Sequence, residues 1–390
     1  MLILYQIIIY RFFKFCYLYF IVNKKSLWYN EHITKLKGLV RIMEKLKMAL
    51  IGCGAFSKIH LDGFRNQKKA EIVALCDKDI NRARERAEEF YPDAAVYDDA
   101  DKLLADPDID AVIIATIDQA HRELTVKALH AGKHVLCEKP MALTIEDCEA
   151  MVKAEEETGK KLMIGQVCRL TPGFMEAKRL VDEGVIGELF YVESTYAHDY
   201  SSFTDETSWR ADPLRHIVIG GTCHAIDLLR WIAGNPTETT AYSTKKVLTQ
   251  LPTDDTVVAI FRFPNNVIGK VFTSSSCKRP YTMRTQLYGT EGTIVVDNTD
   301  NFITIYKEHI TSGGKVLDGA YGAEQENEVH IRYPIPVNNH NVCGEHDAFI
   351  AAILEDKPVP TNGREGMATV KVCKAVIESA DERKTVTIEY

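Results

Sequence analysis

Residues 132–140 read Gly-Lys-His-Val-Leu-Cys-Glu-Lys-Pro and predict a buried strand that ends in a charged pair. The run His134–Cys137 is short and mostly apolar, with a glycine before it and a proline after it, which is typical of a parallel sheet. Glu138 and Lys139 follow at its carboxyl end, and in open α/β sheets that edge faces the ligand crevice. Pro140 disfavours helical geometry at Lys139, so we expect the lysine at the strand tip.

Two interpretations of Lys139 are open at this point. An amine there can act in acid–base catalysis, because partial burial beside a cation lowers its pKa toward the working range. Alternatively it is a surface lysine that ends a strand, which is the better interpretation of an isolated Lys-Pro pair. The rest of the chain decides between them.

Composition limits the class of protein. The 390 residues are 46% hydrophobic, which is enough for two domains with separate cores. The net charge of −8, without a dense Lys/Arg patch, argues against a nucleic-acid partner. Ten cysteines without a C-x-x-C pair indicate free thiols in a reducing compartment, so we expect a cytoplasmic protein.

Residues 1–45 form an N-terminal extension of different composition. The first part is rich in Ile, Tyr, Phe and Leu, but Gln6, Arg11 and Lys14 interrupt it, so it is a poor membrane span. No small-residue cleavage site follows. The stretch is a weak anchor, an interfacial helix, or not part of the working protein. We favour the last, because Met43 starts a segment that leads straight into the first domain, and we do not expect a membrane partner.

A glycine-rich turn follows the first predicted strand. It reads Gly52-Cys53-Gly54-Ala55-Phe56-Ser57, a G-x-G-x-x-G pattern with serine in the third place. Gly52 permits the tight turn, and Gly54 lets the backbone approach a pyrophosphate at the next helix's amino terminus. Ser57 is small enough for close helix–strand packing. The pattern predicts a dinucleotide site.

Asp77 ends the second predicted strand, 20 residues after Ser57. An acidic side chain there accepts hydrogen bonds from the adenosine ribose and repels a 2′-phosphate. It would also serve as an N-cap for a helix from Asn81 onward. With the glycines in place we prefer the ribose role, which favours NAD over NADP.

The pattern of elements predicts an α/β fold with two domains. Six strands alternate with helices over residues 46–165, which specifies a doubly wound parallel sheet, the Rossmann arrangement. From residue 188 the apolar residues alternate, which predicts a C-terminal α+β domain over 166–390 with a largely antiparallel open sheet.

The chain resembles the Gfo/Idh/MocA oxidoreductases, which include glucose–fructose oxidoreductase and inositol dehydrogenases. The resemblance is carried by the glycine turn, Asp77, Thr116 with His121, and most specifically residues 131–140. It implies that Lys139 contacts the nicotinamide ribose and the substrate hydroxyl, and that the open sheet forms a homodimer or homotetramer. The implied cofactor-binding residues are Gly52, Gly54, Ala55, Phe56, Ser57, Asp77, Thr116, His121, Glu138, Lys139, Gln166, Trp209 and Arg210.

The resemblance also extends to a substrate side of the crevice. His224 takes the position of the family's active-site histidine, although a lone histidine on a helix is also a satisfied core residue. Asp227, one turn later, is expected to orient that imidazole or cap the chain, beside the substrate. Arg169 either meets a polar substrate or pairs with a carboxylate at the domain junction. The predicted substrate-binding set is therefore Lys139, Arg169, His224 and Asp227, with Lys139 and His224 catalytic.

The chain departs from the family pattern in three places. Residues 116–118 read Thr-Ile-Asp where the family has Thr-Pro-Asn. Gly220 stands where many members carry an aspartate, and residues 214–216, Leu-Arg-His, stand in place of three glycines. Either Lys139 and His224 suffice, or His216 or Asp212 compensates, or the chemistry is altered.

A second polar cluster invites a metal interpretation. His340, Cys343, Glu345 and His346 are close in sequence, but His-x-x-Cys-x-x-His is not a common closed zinc site. Loop polarity and helix capping explain it more simply, and no metal is expected.

The predicted function is an NAD-dependent oxidoreductase that moves a hydride between a carbinol carbon of a sugar, cyclitol or related polyol and nicotinamide. Two alternatives remain open. One is a redox-neutral enzyme in which retained NAD transiently oxidises a glycoside, and the other is an NAD-binding protein with weak catalysis.

Overall fold

A computed structural model describes residues 45–202, 208–307, 330–337 and 340–390. The predicted N-terminal extension lies outside the described residues, apart from Lys45. Within these ranges no helix combines the length and apolar character needed to cross a bilayer. Residues from Leu46 to Tyr390 form one compact unit. The predicted division of this unit at residue 165 stays a prediction.

The first sheet has six parallel strands. In chain order they are β1 (Leu46–Ile51), β2 (Ala70–Cys76), β3 (Ala95–Tyr97), β4 (Ala111–Ile114), β5 (His134–Cys137) and β6 (Leu162–Ile164). Their spatial order is β3-β2-β1-β4-β5-β6, the doubly wound order. All four residues of β4 are buried, as the run of apolar residues predicts. The predicted α/β class is confirmed.

Five helices connect these strands: α1 (Ser57–Gly63), α2 (Ile80–Phe90), α3 (Ala100–Leu104), α4 (His121–His130) and α5 (Ile145–Thr158). The caps follow from the sequence: Thr144 accepts from the Asp147 amide at the start of α5. Asp79, not Asp77, caps α2, because its carboxylate accepts from the Asn81 amide at 3.1 Å. This removes the capping interpretation of Asp77.

The second sheet is largely antiparallel, as predicted. Its nine strands are β7 (Leu189–Ala197), β8 (Glu238–Thr244), β9 (Thr256–Arg262), β10 (Ile268–Ser274), β11 (Thr282–Gly289), β12 (Gly292–Asp297), β13 (Phe302–Lys307), β14 (His330–Pro334) and β15 (Val386–Thr387). Their order is β14-β13-β12-β11-β7-β10-β9-β8-β15, and only β7 and β10 run parallel. The prediction missed β8 and β14.

Four further helices follow β6 along the chain: α6 (Pro172–Asp182), α7 (Cys223–Ala233), α8 (Val342–Leu354) and α9 (Gly363–Glu382). A wide π-helical turn, Val218–Thr222, leads into α7. Phe349 of α8 is buried in the same apolar cluster as Leu50 of β1. Helix α9 packs on α5 and also on β8, so the end of the chain supports both sheets.

Candidate active site

The glycine-rich turn has the shape that a dinucleotide needs. Gly52 has a φ of +101°, and a Cβ atom there would lie 2.5 Å from the Ala115 carbonyl oxygen, so the position requires glycine. A Cβ atom at Gly54 would meet no protein atom within 4 Å, so the fold's own packing does not explain this glycine. Open space above Gly54 fits the close approach of a pyrophosphate.

Asp77 is fixed beside that turn. Its Oδ2 accepts from the Cys53 amide at 2.8 Å, and its Oδ1 accepts from the Asp79 amide at 2.9 Å. The carboxylate is therefore held at the carboxyl end of β2, next to the glycines. Each oxygen retains a further lone pair for a ribose hydroxyl.

Lys139 follows β5, and Glu138 beside it anchors a buried chain of polar groups. The Lys139–Pro140 peptide bond is cis. Glu138 Oε1 lies 2.9 Å from His60 Nε2, and His60 Nδ1 lies 2.9 Å from His346 Nε2. Burial alone would raise the pKa of Glu138, but the hydrogen bond from His60 and the charges of His60 and Lys139 lower it. Glu138 is therefore ionised next to Lys139.

Glu345 is a second buried carboxyl group near Glu138. Neither of its oxygens has a hydrogen-bond partner in the described part of the chain. Burial raises its pKa well above the ordinary value, and the charge of Glu138 raises it further. Burial and the charge of Glu138 thus both favour the protonated form of Glu345, whereas Glu138 is held in its ionised form.

Three imidazoles surround the charge of Lys139 at the mouth of the crevice. Burial and then Lys139 lower the pKa of His198, of His224 and of His340, the last to about 4. The His224 ring lies 6.2 Å from Tyr196 and 6.5 Å from His340, measured between centroids. All three rings are neutral at pH 7, so each offers one donor and one acceptor.

Most of the aromatic residues around His224 were not predicted from the sequence. His198 follows β7 and Tyr281 precedes β11, and because these strands are antiparallel neighbours, both residues lie at the same edge of the sheet. Their ring centroids are 4.8 Å apart. Tyr196 and Tyr200 join through their hydroxyl groups at 2.8 Å. The only signal for His198 and Tyr281 in the sequence was their position at the ends of two predicted strands.

Arg169 and Asp227 are bound to each other. Two Arg169 nitrogens, Nε and Nη2, donate to the Asp227 carboxylate at 2.7 Å each, and Arg169 Nη2 also reaches Glu365 at 2.9 Å. Asp227 does not orient His224, whose Nδ1 lies 3.6 Å from Cys168 Sγ instead. The prediction of that orienting role is wrong, because the closer guanidinium takes both carboxylate oxygens. Of the two interpretations of Arg169, the carboxylate pair is the one observed.

Arg215 fills the space beside Gly220. A Cβ atom at Gly220 would lie 2.5 Å from Arg215 Nη1 and 2.8 Å from Nη2. Arg215 Nε donates to Asp118 Oδ2 at 2.7 Å, and both side chains are buried. The three departures from the family pattern thus meet at one point in the structure.

The two predicted compensating residues do not take that place. His216 accepts from the Val218 amide at 3.1 Å, and burial lowers its pKa to about 4. Asp212 accepts from the Leu214 amide and from Gln119, at 2.8 and 2.9 Å. His216 is thus engaged within its own loop, and Asp212 both within its loop and by Gln119.

The remaining predicted cofactor residues lie in two settings. His121 is buried, and its Nδ1 lies 2.8 Å from the Pro140 carbonyl, so it supports the Lys139 segment from below. Gln166 is buried, and its Oε1 has no hydrogen-bond partner within the described ranges. The guanidinium groups of Arg210 and Arg215 lie 4.3 and 4.6 Å from the Trp209 ring centroid. Thr116 follows β4 at the same sheet edge and is half-buried.

The four residues weighed as a metal site have different polar partners. His346 pairs with His60, and Cys343 donates to the Gly63 carbonyl. His60, Glu138 and Glu345 do have ligand atoms within 4.8 Å of one another. The hydrogen bond between His60 and Glu138 already engages two of these ligand atoms, and the expectation that no metal binds stays a prediction.

The fold and this crevice define an NAD-binding oxidoreductase. Residues 46–166 match the oxidoreductase family with an NAD-binding Rossmann fold, and residues 174–295 match the Gfo/Idh/MocA C-terminal domain. The chain belongs to the Gfo/Idh/MocA family, as the sequence resemblance predicts.

Named relatives and solved structures share most of the chain. D-apiose dehydrogenase of Paraburkholderia graminis is 30% identical over 352 residues, which cover 89% of this chain and 91% of the relative. Myo-inositol 2-dehydrogenase of Thermotoga maritima is 25% identical over 88% of this chain and 99% of its own. The structure of levoglucosan dehydrogenase with NADH and levoglucosan has a TM-score of 0.77 at 25% identity, covering 89% of this chain and all of that one.

Proposed function

We propose that the protein oxidises a carbinol carbon of a sugar, cyclitol or related polyol and delivers the hydride to NAD. The observation that supports this most is the position of Lys139, at the crevice end of β5 among three neutral imidazoles. The names of the relatives, which are dehydrogenases of apiose, inositol and levoglucosan, support the same substrate class.

In the proposed reaction the cofactor takes the hydride and the protein takes the proton. Bound NAD supplies the acceptor for the hydride of the C–H bond. Lys139 would accept the proton of the substrate hydroxyl in its neutral form, which the positive nicotinamide ring favours, so that a C=O bond remains on the product. Neutral His224 would hold that hydroxyl through Nε2, because Nδ1 lies 3.6 Å from Cys168 Sγ, and ionised Glu138 would stabilise the charge that Lys139 gains.

The proposal that the cofactor is NAD rests on the glycine-rich turn and on Asp77. Gly52, Gly54, Ala55, Phe56 and Ser57 would cradle the pyrophosphate, and Asp77 would accept from the adenosine ribose. A 2′-phosphate would meet the Asp77 carboxylate at this place, so we propose NAD rather than NADP. Thr116, Gln166, Trp209 and Arg210 would border the nicotinamide half.

The test is production of NADH with a panel of sugars, inositols and other polyols. We expect at least one panel member to reduce NAD stoichiometrically. Product formation without free NADH would instead indicate the redox-neutral reaction, and NAD binding without any product would indicate a weakly catalytic protein.

We also propose that the open face of the second sheet forms a homodimer or homotetramer. Strand β9 alternates buried and exposed residues, and its exposed side carries Val258 and Ile260. Tyr242 on β8 and Ile268 on β10 extend this apolar face. Sedimentation of the pure protein tests the assembly. The described cysteines are free thiols, in keeping with a cytoplasmic location.

A further inference from the structure

Arg215 gives this crevice a charge that the family pattern does not have. The pattern puts an aspartate at position 220, and an aspartate accepts hydrogen bonds from hydroxyl groups. Here Gly220 leaves that space, and the Arg215 guanidinium fills it, 2.5 Å from where a Cβ atom would stand. An arginine has only donors, so the group it meets must be an acceptor.

The pairing of Arg215 leaves part of the guanidinium available. Only Nε is bound to Asp118, and the two terminal nitrogens have no hydrogen-bond partner among the described residues. They are not among the fully buried unpartnered atoms either, so they keep a small solvent exposure. Two parallel N–H groups on one guanidinium match the two oxygens of a carboxylate.

A second guanidinium lies beside Arg215. The Arg210 and Arg215 guanidinium groups lie 4.3 and 4.6 Å from the same Trp209 ring centroid, and burial and then the charge of Arg215 lower the pKa of Arg210. Asp118 accepts from Arg215, whereas Asp212 accepts from uncharged donors. Two guanidinium groups in one partly enclosed place favour an anionic ligand over a neutral one.

We propose that the substrate is a polyhydroxy acid, an aldonate or uronate, whose carboxylate is bound by the terminal nitrogens of Arg215. This rests on the proposed dehydrogenase function and narrows its substrate class. Asp118 acts as a positioning residue, because it holds Nε and so fixes the guanidinium over Gly220 with its terminal nitrogens unbound to Asp118. His224, one helical turn after Gly220, remains beside the reacting hydroxyl.

The test compares acid and neutral sugars of the same stereochemistry. Glucuronate is paired with glucose, galacturonate with galactose, and gluconate with glucitol. Binding of each to the protein saturated with NADH is measured by calorimetry, and kcat/KM with NAD is measured in parallel. We expect the preferred pair to favour the acid by about 10- to 100-fold, the worth of a charge-assisted hydrogen-bond pair.

Two variants make the assignment specific to Arg215. Arg215→Gln should remove the preference for the acid, and Arg215→Lys should restore only part of it, since an ammonium lacks the fork. Because Arg215→Gln leaves Asp118 buried without its partner, the double variant Asp118→Asn/Arg215→Gln provides a folded comparison without either charge. It should also lose the preference.

The outcomes separate the two proposals. Equal or tighter binding of the neutral partner in every pair, or an acid preference that survives in the double variant, overturns the polyhydroxy-acid assignment even if NADH is formed. Acid-selective binding that depends on Arg215 supports the assignment even when no pair is oxidised, and in that case the dehydrogenase proposal fails instead.

Discussion

Arg169 holds the carboxylate of Asp227 through two hydrogen bonds of 2.7 Å, and both side chains are buried. Thr369 of α9 donates to the same carboxylate at 2.8 Å. This pair joins the segment after β6, the helix α7 that carries His224, and the last long helix. Its position therefore fixes three elements around the crevice relative to one another.

Removing one member of this pair should destabilise the protein. Asp227→Asn leaves the buried Arg169 guanidinium with only the partly exposed Glu365 as its counter-charge, and we expect a loss of about 3 kcal/mol in the free energy of unfolding. Urea unfolding measures it. Arg179→Gln, which breaks an exposed ion pair on α6, is the matched control and should change stability little. If Arg169→Gln changed substrate selectivity and left stability intact, the substrate interpretation of Arg169 would return.

Lys139→Ala should abolish turnover and leave cofactor binding. We expect kcat to fall by about 10² or more, because the hydroxyl proton loses its acceptor. NAD affinity should stay within about an order of magnitude, since the glycine turn and Asp77 are untouched. Steady-state NADH production and a binding titration give the two numbers. Lys153→Ala, an exposed lysine on α5, serves as the control, and turnover of Lys139→Ala at the parent rate would refute the assignment.

Asp77→Ala should relax the preference for NAD over NADP. The carboxylate would repel a 2′-phosphate and accept from a 2′-hydroxyl, so its removal weakens NAD binding and permits NADP. The ratio of kcat/KM for the two cofactors is the measurement. Asp79→Ala removes only the cap of α2 and should cost about 1 kcal/mol of stability without changing that ratio. An unchanged ratio in Asp77→Ala would exclude the ribose role.

Glu345 should make stability depend on pH. Burial raises its pKa well above 4.5, so above that pH the folded protein keeps a proton that the unfolded chain releases. Stability then falls as pH rises from about 4.5 toward the raised pKa, by up to about 1.4 kcal/mol per pH unit. A glutamine at this position does not titrate, so Glu345→Gln lacks this contribution to the pH dependence of stability.

We therefore expect Glu345→Gln to flatten the pH dependence and to be more stable than the parent at neutral pH. Urea unfolding across a pH series compares it with Glu149→Gln, which lies on the exposed side of α5. A variant whose stability declined with pH as steeply as the parent would show that Glu345 is ionised in the folded protein.

The parallel sheet was predictable because its information is local. Apolar runs such as residues 111–114, bounded by turns and alternating with helical segments, specify buried strands, and topology follows from connection rules. The glycine turn, Asp77 and Lys139 were recognisable for the same reason. Strands β8 and β14 were missed, since short runs with polar residues carry little signal.

The polar contacts of the site could not be predicted, because their partners are distant in sequence. His60 and His346 are separated by 286 positions, and Arg215 and Asp118 by 97. Local grouping of His340, Cys343, Glu345 and His346 suggested a shared role, whereas each faces a different neighbour. Asp227 was assigned to His224 by helical spacing, and the fold supplied Arg169 at closer range.

Helix α9 lies against α5 of the first sheet's layer and against β8 of the second. A protein truncated before Gly363 would therefore expose apolar surface on α5 and on β8. We expect such a protein to aggregate rather than to keep a folded cofactor-binding sheet. An affinity tag appended after Tyr390 would leave the packing of α9 intact, whereas dividing the chain before α9 would not give two proteins that fold separately.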